Sequence, residues 1–476
     1  MNFIIAGLSI IYITICGFGL IKLLLKDNIP FSLFGLIPLS FGAGLGEIVI
    51  LGNLLMFTGL RLSFWTLYMP LFILFAYALH QLKIKRIFRL AEAFEFVKGF
   101  TWMEWIFILV IVFGVSSAFL MSVTFPLHFW DSRAIWGAMS KMLFFDGTVH
   151  SSFFMDPSRI NAHFQYPLLF PMAQAFIYFA LGQADDWAIM VLIGIIFPML
   201  VLFLFDLARI YINDREKALA AAAMMAVLPV FFMSEGPVTS GFADPPLAML
   251  YCLSLGITLL WKRNKYLGYL MLSAFLSGIL MLTKNEGVNM ILLNMILIAL
   301  PDGLNLKNLR IKEAIMNIMI FASIVMLILA PWFMLIRTLP AIEGLNILSI
   351  NFANLLKNIE GIPFILNGTV NEFIGLQKNM MGQQFIWCIL WAIFIFTSII
   401  SLIFRLADAM ILSLITIAYV LITILQWIIL PAGTGTWLID EAINHISRQY
   451  QGINAIVVLQ IASTLKHLGS DDSQNR

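Results

Sequence analysis

Long apolar runs recur along this chain, and each approaches the roughly 20 residues that a helix needs to cross the hydrocarbon core of a bilayer. They lie near 3–25, 33–59, 63–82, 105–123, 187–208, 218–234, 245–261, 266–283, 287–301, 314–336, 384–403 and 408–430. In lipid every backbone N–H and C=O must be satisfied within the segment, so runs of this kind are helices. The expected fold is an all-α, polytopic membrane helical bundle of about twelve spans, with interfacial helices on its outer face. Composition agrees. Hydrophobic residues make up 61% of the chain and charged residues 11%, against about a quarter charged in soluble domains. A formal charge of +2 is too small for a charge-steered nucleic-acid binder, so no nucleic-acid partner is expected.

Basic residues set the orientation. Lys22 and Lys26, then Lys83, Lys85, Arg86 and Arg89, then Arg209, Arg215 and Lys217 follow successive spans. Lys262, Arg263 and Lys265, then Lys307, Arg310 and Lys312, and finally Arg405 continue the series. All six groups share one side if the N-terminus is outside, and that side is then cytoplasmic. The N-terminal run lacks a basic n-region and a small-residue cleavage site, so it reads as a retained span. Segment 166–182 is apolar, but it carries Pro167 and Pro171, and as a full span it would invert the arginine-rich loop after it. It reads as a helix in the outer interface. The tail after Pro431 also falls outside, and the terminal SDDSQNR reads as disordered.

This topology gathers the polar segments on the outer face: 124–165, 235–244, Lys284–Glu286 and 338–382. Asp131 opens a helix just beyond a span, where a carboxylate can take a proton from a hydroxyl or hold a divalent cation. Asp is also a favoured N-cap, and that plainer reading stands beside the first. Asp244 in SGFADPP poses the same choice, with Pro245 and Pro246 suited to a first helical turn. Lys284 in LTKNEG can meet a phosphate at headgroup depth or simply snorkel. Arg448, in the tail with Trp437 and Glu441, is either a second phosphate-directed cation or part of a surface amphipathic helix. His128 and His163 form no zinc spacing, and there is no nucleotide-binding loop. The three cysteines read as small buried residues. Glu47 lies inside a span, where a protonated acid bonded to a neighbouring helix is the plainer expectation over a functional one. The NGT at Asn367 is a weak glycosylation match.

Taken together, FPLHFWDSRAIWGAMSKMLFFDG, HFQYPLLFPMAQAFIYFALGQADDWA, SGFADPPLAMLYCL and LTKNEG, with the tail from Trp437 to Arg448, resemble the GT-C superfamily of integral-membrane glycosyltransferases. The chain is similar in particular to bacterial relatives of the protein O-mannosyltransferases and the aminoarabinose lipid A transferases. The resemblance covers about 105–450 and lies in the order of the motifs. It lacks the WWDxG-type signature and large soluble domain of oligosaccharyltransferases. It implies N-terminal spans over 1–100 without recognised chemistry, a glycosyltransferase domain over 101–450, and an interfacial segment with a polar tail over 451–476. The implied donor is a polyprenyl-phosphate-linked sugar, and the acceptor is a glycan, lipid or protein at the non-cytoplasmic face of a bacterial inner membrane. By the same resemblance Asp131 is the general base, usually with inversion at the sugar carbon, and Asp244 orients the acceptor. Lys284, Arg448 and Arg133 balance the departing phosphate, and Glu286, His163 and Tyr166 line the cleft. A divalent cation is compatible with this set and not required by it. The rival class is a transporter or lipid flippase, which predicts paired ionisable residues at the midplane and inverted repeats.

Overall fold

The computed structural model describes residues 1–82, 99–156, 158, 166–234, 236–304, 310–340, 362–374, 388–429 and 436–469. Within them every regular element is helical, as expected. The first four long helices are α1 (Asn2–Leu25), α2 (Leu33–Phe57), α3 (Phe64–Gln81) and α4 (Trp102–Thr124). A π-helical turn, Ser132–Gly137, leads into α5 (Ala138–Asp146), and α6 (Leu169–Leu181) follows. Then come α7 (Met190–Ile212), α8 (Arg215–Ala226), the short α9 (Val230–Met233), α10 (Asp244–Asn264), α11 (Leu267–Met281) and α12 (Gly287–Ala299). The chain finishes with α13 (Ile311–Ile336), α14 (Ile362–Ile374), α15 (Cys388–Ile403), α16 (Ala407–Ile429) and α17 (Thr436–Gly469).

All twelve apolar runs are helices. Eight are long and apolar enough to cross a membrane, with α8 and α9 counted as one. The runs at 63–82, 266–283, 287–301 and 384–403 give the shorter α3, α11, α12 and α15. The basic clusters at 83–89 and Lys307 lie outside the described residues.

Contacts between loops sort the bundle into two ends. At the basic end, Ser32 N–H and Oγ donate to Asp206 at 2.7 and 2.9 Å, and Arg209 Nε meets the same carboxylate at 2.8 Å. Tyr269 donates to Asn28 O, Arg215 grips Glu104 through Nε and Nη2, and Arg263 meets Asp408. At the other end, Asn2 donates to Asp185, Leu62 N–H to Gly147 O, and Leu169 N–H to Leu282 O. Both flanks of α6 therefore sit at that second end. With 13 residues, α6 is shorter than a crossing needs; residues 169–178 are all buried, packed against α1, α2 and α5, so it is enclosed by protein rather than lying in an outer interface.

The tail departs from the sequence reading. That reading set 451–476 apart as an interfacial segment and polar tail, but α17 runs unbroken into the bundle and residues 450–464 are buried. It packs against α7, α8, α10, α14, α15 and α16. Gln451, Asn454, Gln460 and Thr464 interrupt its apolar character, and Gln460 is satisfied by Thr397 of α15 at 2.9 Å. Interhelical bonds of this kind let polar side chains enter a lipid-embedded core. Glu47 also differs from expectation: it is buried, yet neither carboxyl oxygen has a hydrogen-bond partner among the described residues.

Candidate active site

The end opposite the basic loops carries a cluster of buried charges built from four separate stretches of chain. The turn between α11 and α12 supplies Lys284 and Glu286. It is tight because Gly287 starts α12 directly against α11: a Cβ there would lie 2.5 Å from the Leu280 carbonyl carbon and oxygen. Thr283 Oγ donates back to Ile279 O and Gly287 N–H to Lys284 O. The backbone thus holds Lys284 inward, 8% exposed, which rules out a snorkelling lysine.

Lys284 Nζ lies 2.9 Å from Asp244 Oδ1 and 3.1 Å from Glu286 Oε1. Asp244 is the first residue of α10, and the cap position belongs to Ala243. Its carboxylate makes no side-chain cap bond and instead meets a lysine from the α11–α12 turn. Burial works against a charge on Lys284, but Asp244, Glu286 and Tyr166 outweigh it and raise its pKa above the ordinary lysine value. The lysine is therefore cationic throughout the neutral range. Glu286 Oε2 is buried with no hydrogen-bond partner among the described residues.

The second ion pair joins the two ends of the chemistry-bearing sequence. Arg448 Nη1 of α17 donates to Asp131 Oδ2 at 3.2 Å. Asp131 immediately precedes the π-helical turn and makes no capping bond with its side chain. π-turns are rare and favour functional positions. Here the turn buries Trp136, whose ring stacks on Tyr166 at 5.4 Å. Arg448 lies over the Phe242 ring at 4.8 Å, and Phe129 packs edge-on against that ring at 5.8 Å. Gly241 adopts φ +74°, and a Cβ there would fall 2.8 Å from Leu127 and 3.2 Å from Ser132 Cβ. A side chain at 241 would wedge the Asp131 turn away from the Asp244 turn.

Tyr166 binds the two pairs into one site. Burial raises its pKa above the ordinary tyrosine value, and Glu286, Asp244 and Asp131 push the same way against Lys284. All four charged groups lie within electrostatic range of this one phenol. Tyr419 of α16 also lies within electrostatic range of Glu286, Lys284 and Asp244.

Of the residues singled out from sequence, Asp131, Asp244, Lys284, Glu286, Arg448 and Tyr166 come together. Arg133 does not: its side chain is exposed and makes no ion pair among the described residues. It is two positions from Asp131, and the helical turn sends it the other way. His163 lies outside the described residues. Sequence reasoning missed Phe242 beneath Arg448, and Gln451, which donates to Ser234 Oγ at 3.1 Å and Gly236 O at 2.7 Å. Gln451 sits one turn beyond Arg448 on the same helix, which is the only signal the sequence held. Among the described residues no three His, Cys, Asp or Glu side chains gather as a metal-binding group. Asp131, Asp244 and Glu286 are the carboxylates that could hold a divalent cation, and their present partners are Arg448 and Lys284.

Residues 165–335 match the model of the dolichyl-phosphate-mannose-protein mannosyltransferase family. No curated protein and no solved structure gives a significant match. The matched stretch holds Tyr166, Asp244, Lys284 and Glu286, while Asp131 and Arg448 lie on either side of it. The resemblance read from sequence is borne out over this stretch.

Proposed function

We propose that this chain is a membrane glycosyltransferase of the GT-C type, a reading supported by the family match over residues 165–335, and that it moves a sugar from a polyprenyl-phosphate carrier to an acceptor hydroxyl at the non-cytoplasmic face. The basic end is cytoplasmic by the positive-inside rule, so the carboxylate end faces outward. A polyprenyl carrier stays in the bilayer, and its scissile bond lies at headgroup depth. The charge cluster sits at span ends, where that bond would be.

Asp131 takes the proton of the acceptor hydroxyl as its oxygen attacks the anomeric carbon. The bond from that carbon to the phosphate oxygen breaks, and the electron pair leaves with the phosphate. Negative charge grows on that oxygen, and fixed cations placed there lower the barrier. Lys284 and Arg448 are those cations. Asp244 and Glu286 hold Lys284 charged and in position, and Tyr166 forms part of the wall.

The observation that carries this reading is the convergence of Asp131–Arg448 with Asp244–Lys284–Glu286 around Tyr166. The transporter or flippase reading has in its favour Glu47, a buried carboxyl midway along α2, but among the described residues Glu47 makes no ion pair of the kind that reading requires. The test is Asp131→Asn in cells whose surface glycans change on deletion of the gene, read by mass spectrometry. Glycans like those of the deletion strain are expected; glycans like those of the parent would overturn the base assignment.

A further inference from the structure

In this site both cations are already engaged by the groups that would perform the chemistry. Lys284 is shared between Asp244 and Glu286, and Arg448 is held by Asp131. The two pairs are not equally closed. The Lys284 and Asp244 side chains are 10% and 4% exposed, and two carboxylates hold one lysine. In the other pair Arg448 is 6% exposed but Asp131 is 27% exposed, and their contact is the longer at 3.2 Å. An incoming anion would most readily disturb the looser, more open pair.

Arg448 also has what it needs to survive losing Asp131. Its guanidinium rests on the Phe242 ring, and its helix is fixed one turn on by Gln451, bonded to Ser234 and Gly236. Phe242 and Gln451 keep the cation in place whichever anion it faces. Asp131, by contrast, sits at the mouth of a π-turn with no capping duty, free to turn toward another partner.

We propose that Asp131 and Arg448 form a latch that the donor's phosphate opens. The phosphodiester takes the guanidinium, and Asp131 is released toward the acceptor hydroxyl. The base becomes available only after the donor has bound, so donor precedes acceptor. The inference rests on the donor reading above and adds an order of events and a competition between Asp131 and phosphate for one guanidinium.

The competition gives an unusual prediction: removing the catalytic charge strengthens binding of the leaving group. The full-length protein in nanodiscs is titrated with undecaprenyl phosphate, which carries the phosphate and no sugar. Asp131→Asn is expected to bind about fivefold tighter than wild type, the scale of a partly exposed ion pair. Arg448→Ala is expected to bind at least about tenfold weaker, from the loss of a charge-assisted contact. In the Arg448→Ala background, Asp131→Asn has nothing to release and changes affinity by less than about twofold. Should Arg448→Ala fail to fold, Arg448→Lys keeps a charge, and Asp131→Asn must still tighten binding in it. Saturable binding that Asp131→Asn leaves unchanged or weakens overturns the latch and leaves the donor reading standing. No saturable binding by wild type or any variant overturns both.

Discussion

The two ends of the bundle both carry charged residues that reach across helices, but they treat them differently. At the basic end the long-range pairs are open to water. Arg263 and Asp408 are 33% and 46% exposed, and Lys265 and Asp302 are 38% and 58% exposed. Where a carboxylate there is buried, its bonds are filled: Asp206 accepts from Ser32 and Arg209, and Glu104 accepts from Thr101 and Arg215. These arrangements tie loops and cap helices. In the candidate site at the opposite end Asp244, Lys284 and Arg448 are buried, neither Asp131 nor Asp244 makes a side-chain cap bond to its helix, and Glu286 Oε2 has no partner among the described residues. Buried ion pairs are poor sources of stability, because desolvation offsets the attraction. A site that buries Asp244, Lys284 and Arg448 and holds two cations with three carboxylates is better explained by chemistry than by folding.

That contrast can be broken by mutation. The largest effect is expected on transfer: Asp131→Asn and Asp244→Asn should each lower the rate by about 100-fold or more, measured as sugar release from a polyprenyl-phosphate donor. Equivalent loss from Asp408→Asn at the basic end would erase the distinction. Next, Lys284→Met leaves Asp244 and Glu286 buried without their cation. Unfolding in detergent should then be easier by about 3–5 kcal/mol, and adding Asp244→Asn should recover part of the loss.

Gly241→Ala tests whether the two turns must meet. A non-glycine residue at φ +74° costs about 1–2 kcal/mol, and displacement of the Asp131 turn should lower transfer further than the stability loss explains. Smallest are the exposed pairs. Arg263→Ala or Lys265→Ala should shift stability by less than about 1 kcal/mol, seen as a minor change in thermal midpoint.

Acid should act on the same weak belt first. Burial tends to raise Asp214 and Asp302, but Lys217 in one case and Lys265 in the other outweigh it and lower both below the ordinary aspartate value. A carboxylate lowered on folding stabilises above its unfolded pKa, and that contribution fades as pH falls through the folded value. Stability should therefore be flat from these groups between about pH 6 and 8 and fall below about pH 4. Lys284 moves the other way: its raised pKa keeps its contribution intact until pH rises past the ordinary lysine range. A transfer profile with a lysine-dependent limb near neutrality would contradict that.

Much of this was legible in the sequence for a physical reason. Lipid demands long apolar helices, so the runs announced themselves, and the few charges left over had to mean something. Asp131, Asp244 and Lys284 stood out because each sits at a span end on the face away from the basic loops. Arg133 stands apart from Asp131 because proximity in sequence says nothing about which side of a π-turn a side chain leaves. Phe242 was passed over because one more phenylalanine in an apolar chain carries no signal.

The amino-acid order alone determined the twelve apolar helices and the end of the bundle at which the polar segments collect, since each follows from local hydrophobicity and charge. Only tertiary structure decided which charges meet. Asp131 and Arg448 are separated by 317 positions, and α17 must thread down among α8, α10 and α16 to bring them together. In its buried half Gln460 meets Thr397 of α15 and Gln451 meets Ser234 and Gly236, and no single segment can reveal a bond whose other half lies elsewhere in the chain.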